Sequence, residues 1–281
     1  MPLVYPNIVP ENNLRLPDAV TIKHGPARLV APYLLESDKA ARRLGIALRV
    51  RHDFDELLYT NQHYSLNGAW YPLLDSFNPE ITEITPENGF WISGENDVGE
   101  IVATWAARVF DWQGTTFADQ ARTVWYGRDL GQACIVTAPA AKLITGVVAC
   151  AGASWVRRDF RGKHLSHILP RTGKAYACSR WPLDWAVGYI GRSNVDKGLA
   201  KNYGQKNLSY SVYYPDSPHE EQVLSYTPVA EVYADLANFL AGELPAIGRT
   251  ELESAPLEMV LEHMVTKTSS EGVFHGSISR S

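Results

Sequence analysis

Residues 143–156 constrain this chain more than any other stretch. They form a long apolar run that leads straight into the basic sequence Val156-Arg157-Arg158-Asp159-Phe160-Arg161-Gly162-Lys163-His164-Leu165-Ser166. A run of that length and character reads as a strand. Gly146 and Gly152 inside it call for a bulge or a close backbone approach. After the basic turn, Leu165, Ile168, Leu169 and Tyr176 recur with roughly helical spacing. Strand, basic glycine-containing turn and helix start together offer a binding place for an anion. The first turn of a helix carries backbone N–H groups without intrahelical acceptors, and its dipole favours negative charge there. Arg161 and Lys163 add mobile positive charge at the same point. Pro170 and Gly173 interrupt the helical pattern, so the helix is expected to be short or kinked.

The rest of the chain alternates between the two regular periodicities. Residues 45–51 alternate as a strand. Asp53 and Glu56 match a capping box, opening a helix that continues through Leu57, Leu58 and Tyr59. A second helical piece is expected from 70 to 74, ending near Asn78-Pro79. Strands at 90–93 and 100–110 are joined by Gly94-Glu95-Asn96-Asp97-Val98-Gly99, a turn-rich linker suited to a hairpin. A helix is expected over 116–125 and a strand over 185–190. Ser193 opens a helix on which Val195, Leu199 and Tyr203 share a face, and Gly204 ends it. Strands at 208–214 and 222–226 follow, then helices at 229–240 and 252–264 and a polar tail from 266. Residues 1–44, rich in Pro and Asn, read as an N-terminal extension with a short helix near 34–43; the main domain spans 45–230, and 231–281 holds the C-terminal helices and tail.

Composition narrows the partners. A net charge of −5, from 26 basic and 31 acidic residues, argues against a general nucleic-acid binder. The apolar run is too short to cross a bilayer, which takes about 20 residues. Cys134, Cys150 and Cys178 show no paired spacing, and the opening residues lack a secretory pattern, so a cytoplasmic protein with free thiols is expected. His164 and His167 are spaced i, i+3, but no further ligand completes a zinc pattern, so no metal is expected.

This order of elements, with three local patterns, resembles the GCN5-related N-acetyltransferase (GNAT) superfamily. Residues 89–107 look like its central hairpin. Arg161-Gly162-Lys163-His164-Leu165-Ser166 is similar to its pyrophosphate loop, R/Q-x-x-G-x-G/A. Asn194, followed by Tyr203-Gly204-Gln205-Lys206-Asn207-Leu208, is similar to its later motif N…Y-E-K-x-G-F. The resemblance covers residues 45–230. It departs at His164 and Ser166, where the family has glycines, and at Asn207 and Leu208, where Gly and Phe are usual.

The resemblance implies an α/β (mixed α+β) fold: a mostly antiparallel sheet with its fourth and fifth core strands splayed and helices on both faces. It implies transfer of an acyl group, acetyl first, from acyl-CoA to an amine of a small molecule or peptide. The residues it places on acyl-CoA are Val156, Arg158, Arg161, Gly162, Lys163, His164, Leu165, Ser166 and Asn194, with Tyr203 as general acid. The acceptor would lie near Tyr59, His63, Tyr64, Trp70 and Tyr71. The general base stays open among Glu100, Asp111, His63, His164 and a water chain. A GNAT-like domain without catalysis, acting as a binding or regulatory module, is the alternative, and a homodimer is left open.

Overall fold

The computed structural model describes residues 13–215 and 221–243. The helix expected at 252–264, the polar tail, and His219, His263 and His275 lie outside them. The described residues up to Leu240 belong to one compact unit.

Among the described residues, nine strands make one sheet: β1 (Asn13–Arg15), β2 (Ala47–Arg51), β3 (Gly89–Glu95), β4 (Ile101–Trp112), β5 (Ile135–Val136), β6 (Gly146–Val156), β7 (Trp185–Gly191), β8 (Asn207–Tyr213) and β9 (Gln222–Pro228). Their order is β1-β2-β3-β4-β6-β7-β9-β8-β5. Neighbours are antiparallel except β6 and β7, which run parallel. The helices are α1 (Leu16–Ala19), α2 (Ala27–Arg43), α3 (Phe54–Ser65), α4 (Phe117–Tyr126), α5 (Leu165–Arg180), α6 (Arg192–Asp196), α7 (Leu199–Asn202) and α8 (Val229–Asn238). This is the mixed, mostly antiparallel architecture that the GNAT resemblance implies. Among the described residues no helix is long and apolar enough to cross a membrane.

Helices cover both faces of the sheet, and the period-2 alternation of strand side chains shows it. Phe90 packs on Tyr176 and Trp181 at the α5 end, with ring centroids 4.7 and 5.4 Å away. Its neighbour Trp91 points the other way, into a cluster with Phe54 and Leu57 of α3, and its indole N–H donates to the Asp53 carbonyl at 2.8 Å. Gly173 sets how closely α5 approaches. A Cβ there would lie 2.1 Å from a ring carbon of Trp105, so only glycine fits.

Several elements differ from their sequence expectation, each for a local reason. Residues 27–43 form one long helix whose Val30, Tyr33 and Leu34 are fully buried. Together with β1 they place much of the stretch expected as an extension inside the same compact unit. No helix forms at 70–74; a single 3₁₀ turn, Asp75–Phe77, follows an extended stretch. Asn61 explains this by capturing its backbone, donating to the Tyr71 carbonyl at 2.8 Å and accepting from the Leu73 N–H at 3.1 Å. α5 runs for 16 residues despite Pro170, because proline there forfeits one intrahelical bond while burial of the helix face compensates. The helix expected from Ser193 breaks into α6 and α7 at Gly198, whose φ of +79° no β-carbon residue holds readily.

Candidate active site at the strand split

β6 and β7 pair over only four residues, Val148–Ala151 against Trp185–Gly188. Beyond that point β6 stays with β4, while β7 stays with β9 as far as Gly191. The sheet therefore opens, leaving residues 152–156 of β6 without a strand partner on that side. A bulge marks the opening. β6 takes three steps from Gly152 to Trp155 where β4 takes two, from Ala106 to Thr104. The extra residue puts Ala153 at φ +49°, and the Thr104 hydroxyl donates to the Ala153 carbonyl at 2.7 Å, fixing the kink. Gly152 is needed here because a Cβ would meet the Phe77 ring at 2.3 Å.

The basic turn follows the bulge. Arg157 is a structural cation: it pairs with Glu100 at 2.9 Å and with Asp159 at 2.8 Å, and these bonds hold its guanidinium pKa above the usual range. The Phe160 ring lies between Arg157, 4.9 Å away, and Lys163, 4.3 Å away. Arg161 donates from Nε to the Val156 carbonyl at 3.1 Å. Arg158 is exposed, and its carbonyl accepts from the Arg161 N–H at 3.3 Å.

Gly162 (φ +79°) and His164 (φ +58°) turn the chain into α5. The His164 carbonyl accepts the first two helical bonds, from His167 and Ile168. Among the described residues, no protein acceptor faces the amides of Gly162, Lys163, His164, Leu165 or Ser166. Buried Leu165 anchors the helix start while residues 161–164 stay exposed. The His164 ring is exposed too and sits 5.6 Å from His167. His164→Gly is expected to raise stability by about 0.5–1 kcal/mol, since left-handed strain at a non-glycine residue is relieved. A denaturation midpoint checks this.

Tyr203 stands at the C-terminal end of α7 and reaches across the opening. Burial pushes its phenol above the ordinary range, opposed by a hydrogen bond with the Ser154 side chain and by the charge of Arg161. The phenol is thus protonated at neutral pH and able to donate. Two cations of α5 hold the backbone that carries it: Arg171, paired with Asp235 at 2.8 Å, donates to the Asn202 carbonyl at 2.8 Å, and Lys174 donates to the Tyr203 carbonyl at 3.1 Å. Asn194, half-buried on α6, follows β7 on the far side of the opening.

Burial pushes the Lys174 ammonium down to about 8. An amine whose folded pKa is depressed destabilises the fold wherever it is charged, and that cost is lost as pH rises through the folded value. Stability is therefore expected to climb from pH ~8 toward the unfolded lysine value of about 10.4. Lys174→Met should remove this climb, which urea midpoints at several pH values would show.

Of the aromatic set, Tyr64 and Trp70 pack on Trp155, the β6 residue after Ser154, and His63 packs on Tyr64. Tyr64 lies 4.3 Å from Trp155 and 5.0 Å from His63, and Trp70 stacks on Trp155 at 5.0 Å. Tyr59 and Tyr71 are 46% and 75% exposed. Among the base candidates, Asp111 pairs in register with Val147, at the opposite end of β6 from the bulge. Glu100 is engaged by Arg157 and Asn96, and those bonds hold its carboxyl low. The resemblance places the open strand edge around 154–158 against the pantetheine arm, but the sequence assigns no role to the side chains of Ser154, Trp155, Arg171 and Lys174. The first two carried a signal in their place just past Gly152; the two α5 cations carried none.

No family model matches this chain and no curated protein matches it. Solved structures are similar to part of it, each with a TM-score below 0.5. NAA60 of Arabidopsis thaliana, in complex with acetyl-CoA, is 11% identical, with 66% of this chain and 99% of that chain covered and a TM-score of 0.43. FeeM, an N-acyl amino acid synthase from uncultured soil microbes, is 14% identical over 69% of this chain and 97% of its own, with a TM-score of 0.43. RimJ of Mycobacterium smegmatis, in complex with CoA-disulfide, is 12% identical over 70% and 90%, with a TM-score of 0.39.

Proposed function

We propose that this chain is an acyl-CoA-dependent N-acyltransferase, acetyl being the first acyl group to test, acting on an amine of a small molecule or peptide. The unbonded amides of residues 162–166, lying where β6 and β7 part, support this most directly. They suit a diphosphate, whose oxygens accept several N–H groups at once. Lys163 and Arg158 are exposed beside them, and Arg161 is free to exchange the Val156 carbonyl for a phosphate oxygen. Leaving that carbonyl, Arg161 would also open the β6 edge to an extended amide-bearing arm.

Acyl-CoA would supply the activated acyl group as a thioester. In the reaction proposed, the amine nitrogen forms a bond to the thioester carbon and the C–S bond breaks. Tyr203 gives its proton to the departing thiolate, and the amine loses a proton to water or a nearby base. Ser154 aims the phenol, and the Arg171 and Lys174 bonds fix the turn that carries it. His63, Tyr64, Trp70 and Trp155 would form the acceptor wall, a surface suited to a ring-bearing or partly apolar amine.

Incubation with acetyl-CoA and an amine panel, following free thiol, tests the activity. Turnover that saturates in both substrates is expected; neither turnover nor CoA binding would end the proposal. A module that binds CoA without turnover is the second reading, favoured by the lack of any carboxylate on β6. Binding without thiol release would select it.

A further inference from the structure

A second site lies at the other end of α5. A cavity of about 230 Å³ is bounded by β1, the segment after α1, the end of β2 and the last turns of α5. Its residues come from 14–23, 50–52 and 176–180, and it shares none with the opening between β6 and β7. At 1.5 Å per residue, α5 puts it roughly 20 Å from the basic turn.

The lining is amphipathic. Leu14, Ala19 and Val50 give an aliphatic wall; Lys23, His52 and Arg180 give cationic or protonatable groups. Lys23 and Arg180 form no salt bridge among the described residues. The acidic group that acts on this set is Glu87, exposed and electrostatically coupled to both His52 and Arg180. Arg180 is also under-bonded. One of its terminal nitrogens donates to the Pro86 carbonyl, and the other stands at 3.5 Å from both His52 Nε2 and the Tyr176 hydroxyl. Its Nε is buried without a partner. Such a guanidinium keeps donors for an incoming anion.

His52 is set to respond. Its Nδ1 lies 3.1 Å from the Gly89 carbonyl, which can only accept, so Nδ1 carries the hydrogen and the neutral ring turns a lone pair toward Arg180. Burial, reinforced by the Arg180 charge, lowers the His52 pKa, while the Gly89 carbonyl and Glu87 act the other way. An anion seated against both Arg180 and His52 would reverse that balance and bring a proton onto Nε2.

We propose that this cavity binds a small monocarboxylate with a short apolar chain, its carboxylate held by Lys23, Arg180 and protonated His52, its chain lying along Leu14, Ala19 and Val50. The aliphatic wall is what favours an alkanoate over a fully hydrated anion such as phosphate.

Isothermal titration of the full chain with butanoate and hexanoate tests this, with inorganic phosphate and hexanol as the other arms. Saturable alkanoate binding is expected, tightening about tenfold from pH 8 to pH 6 with proton uptake. Lys23→Met and Arg180→Met should each weaken it by at least about tenfold while CoA binding stays as in the parent. Lys23 is exposed, so its replacement keeps the test decisive if the Arg180 variant fails to fold. His52→Gln should flatten the pH dependence. Absence of binding, hexanol binding as well as hexanoate, phosphate binding more tightly than either alkanoate, or indifference to Lys23→Met would each overturn the proposal. None of these outcomes depends on acyl transfer.

Discussion

Tyr203→Phe is expected to lower kcat by about 100-fold, the lower end of what a positioned acid contributes, and to leave CoA affinity within about twofold. The ring stays, so packing is kept; what is lost is the hydroxyl near Ser154 and Arg161. A purely structural tyrosine would show the reverse pattern, a stability loss of about 1 kcal/mol for its hydrogen bond with kcat unchanged. Steady-state kinetics beside a denaturation curve separates the two. The alkaline limb of the kcat profile should also vanish, because the raised phenol is the group that must stay protonated. Ser154→Ala should fall between the parent and Tyr203→Phe, since it removes only the aim.

Arg51→Met should be the most destabilising single change, by about 3–5 kcal/mol, the cost of leaving buried charge without its partner. Arg51 donates to both Glu56 oxygens, to Glu95 at 2.5 Å and to the Ser93 hydroxyl at 2.9 Å, with all three charged side chains less than a tenth exposed. Its guanidinium also lies over the Trp91 ring. Burial pushes the Glu56 carboxyl up, and Arg51 pulls it back down. Without Arg51 the upward push acts alone. A carboxyl raised in the folded state destabilises at neutral pH, and the cost fades as pH falls through the raised value toward the unfolded one near 4.3. The gap between parent and variant should therefore narrow on acidification, and Arg51→Met/Glu56→Gln should recover part of the loss at pH 7. A gap independent of pH would mean the side chain mattered only for packing.

Much of this was legible in the sequence where short-range physics decides. The hairpin at Asn96–Gly99, the Asp53 cap, the β6 run and the turn at Gly162 each depend on a few adjacent residues. Expectations failed where a distant partner intervened. The 70–74 stretch is read as helical in the sequence, but the Asn61 side chain claims its backbone and Pro72 at its centre lacks a helical N–H. α5 survives Pro170 because it is buried against α2 and the sheet, which no local pattern records. In the candidate site, the basic turn and Tyr203 could be read directly, whereas the clamp of Arg171 and Lys174 joins residues about thirty apart in the chain. Acceptor-side aromatics were visible as a group. That Trp155 gathers Tyr64 and Trp70, with His63 against Tyr64, joins residues far apart in the chain.

Amide hydrogen exchange at residues 162–166, followed with and without CoA, tests the central claim most directly. These N–H groups have no protein acceptor in the described structure, so they should exchange quickly in the free protein and slow by about tenfold or more once a diphosphate accepts from them. Unchanged exchange at saturating CoA, or slow exchange before CoA is added, would contradict the account.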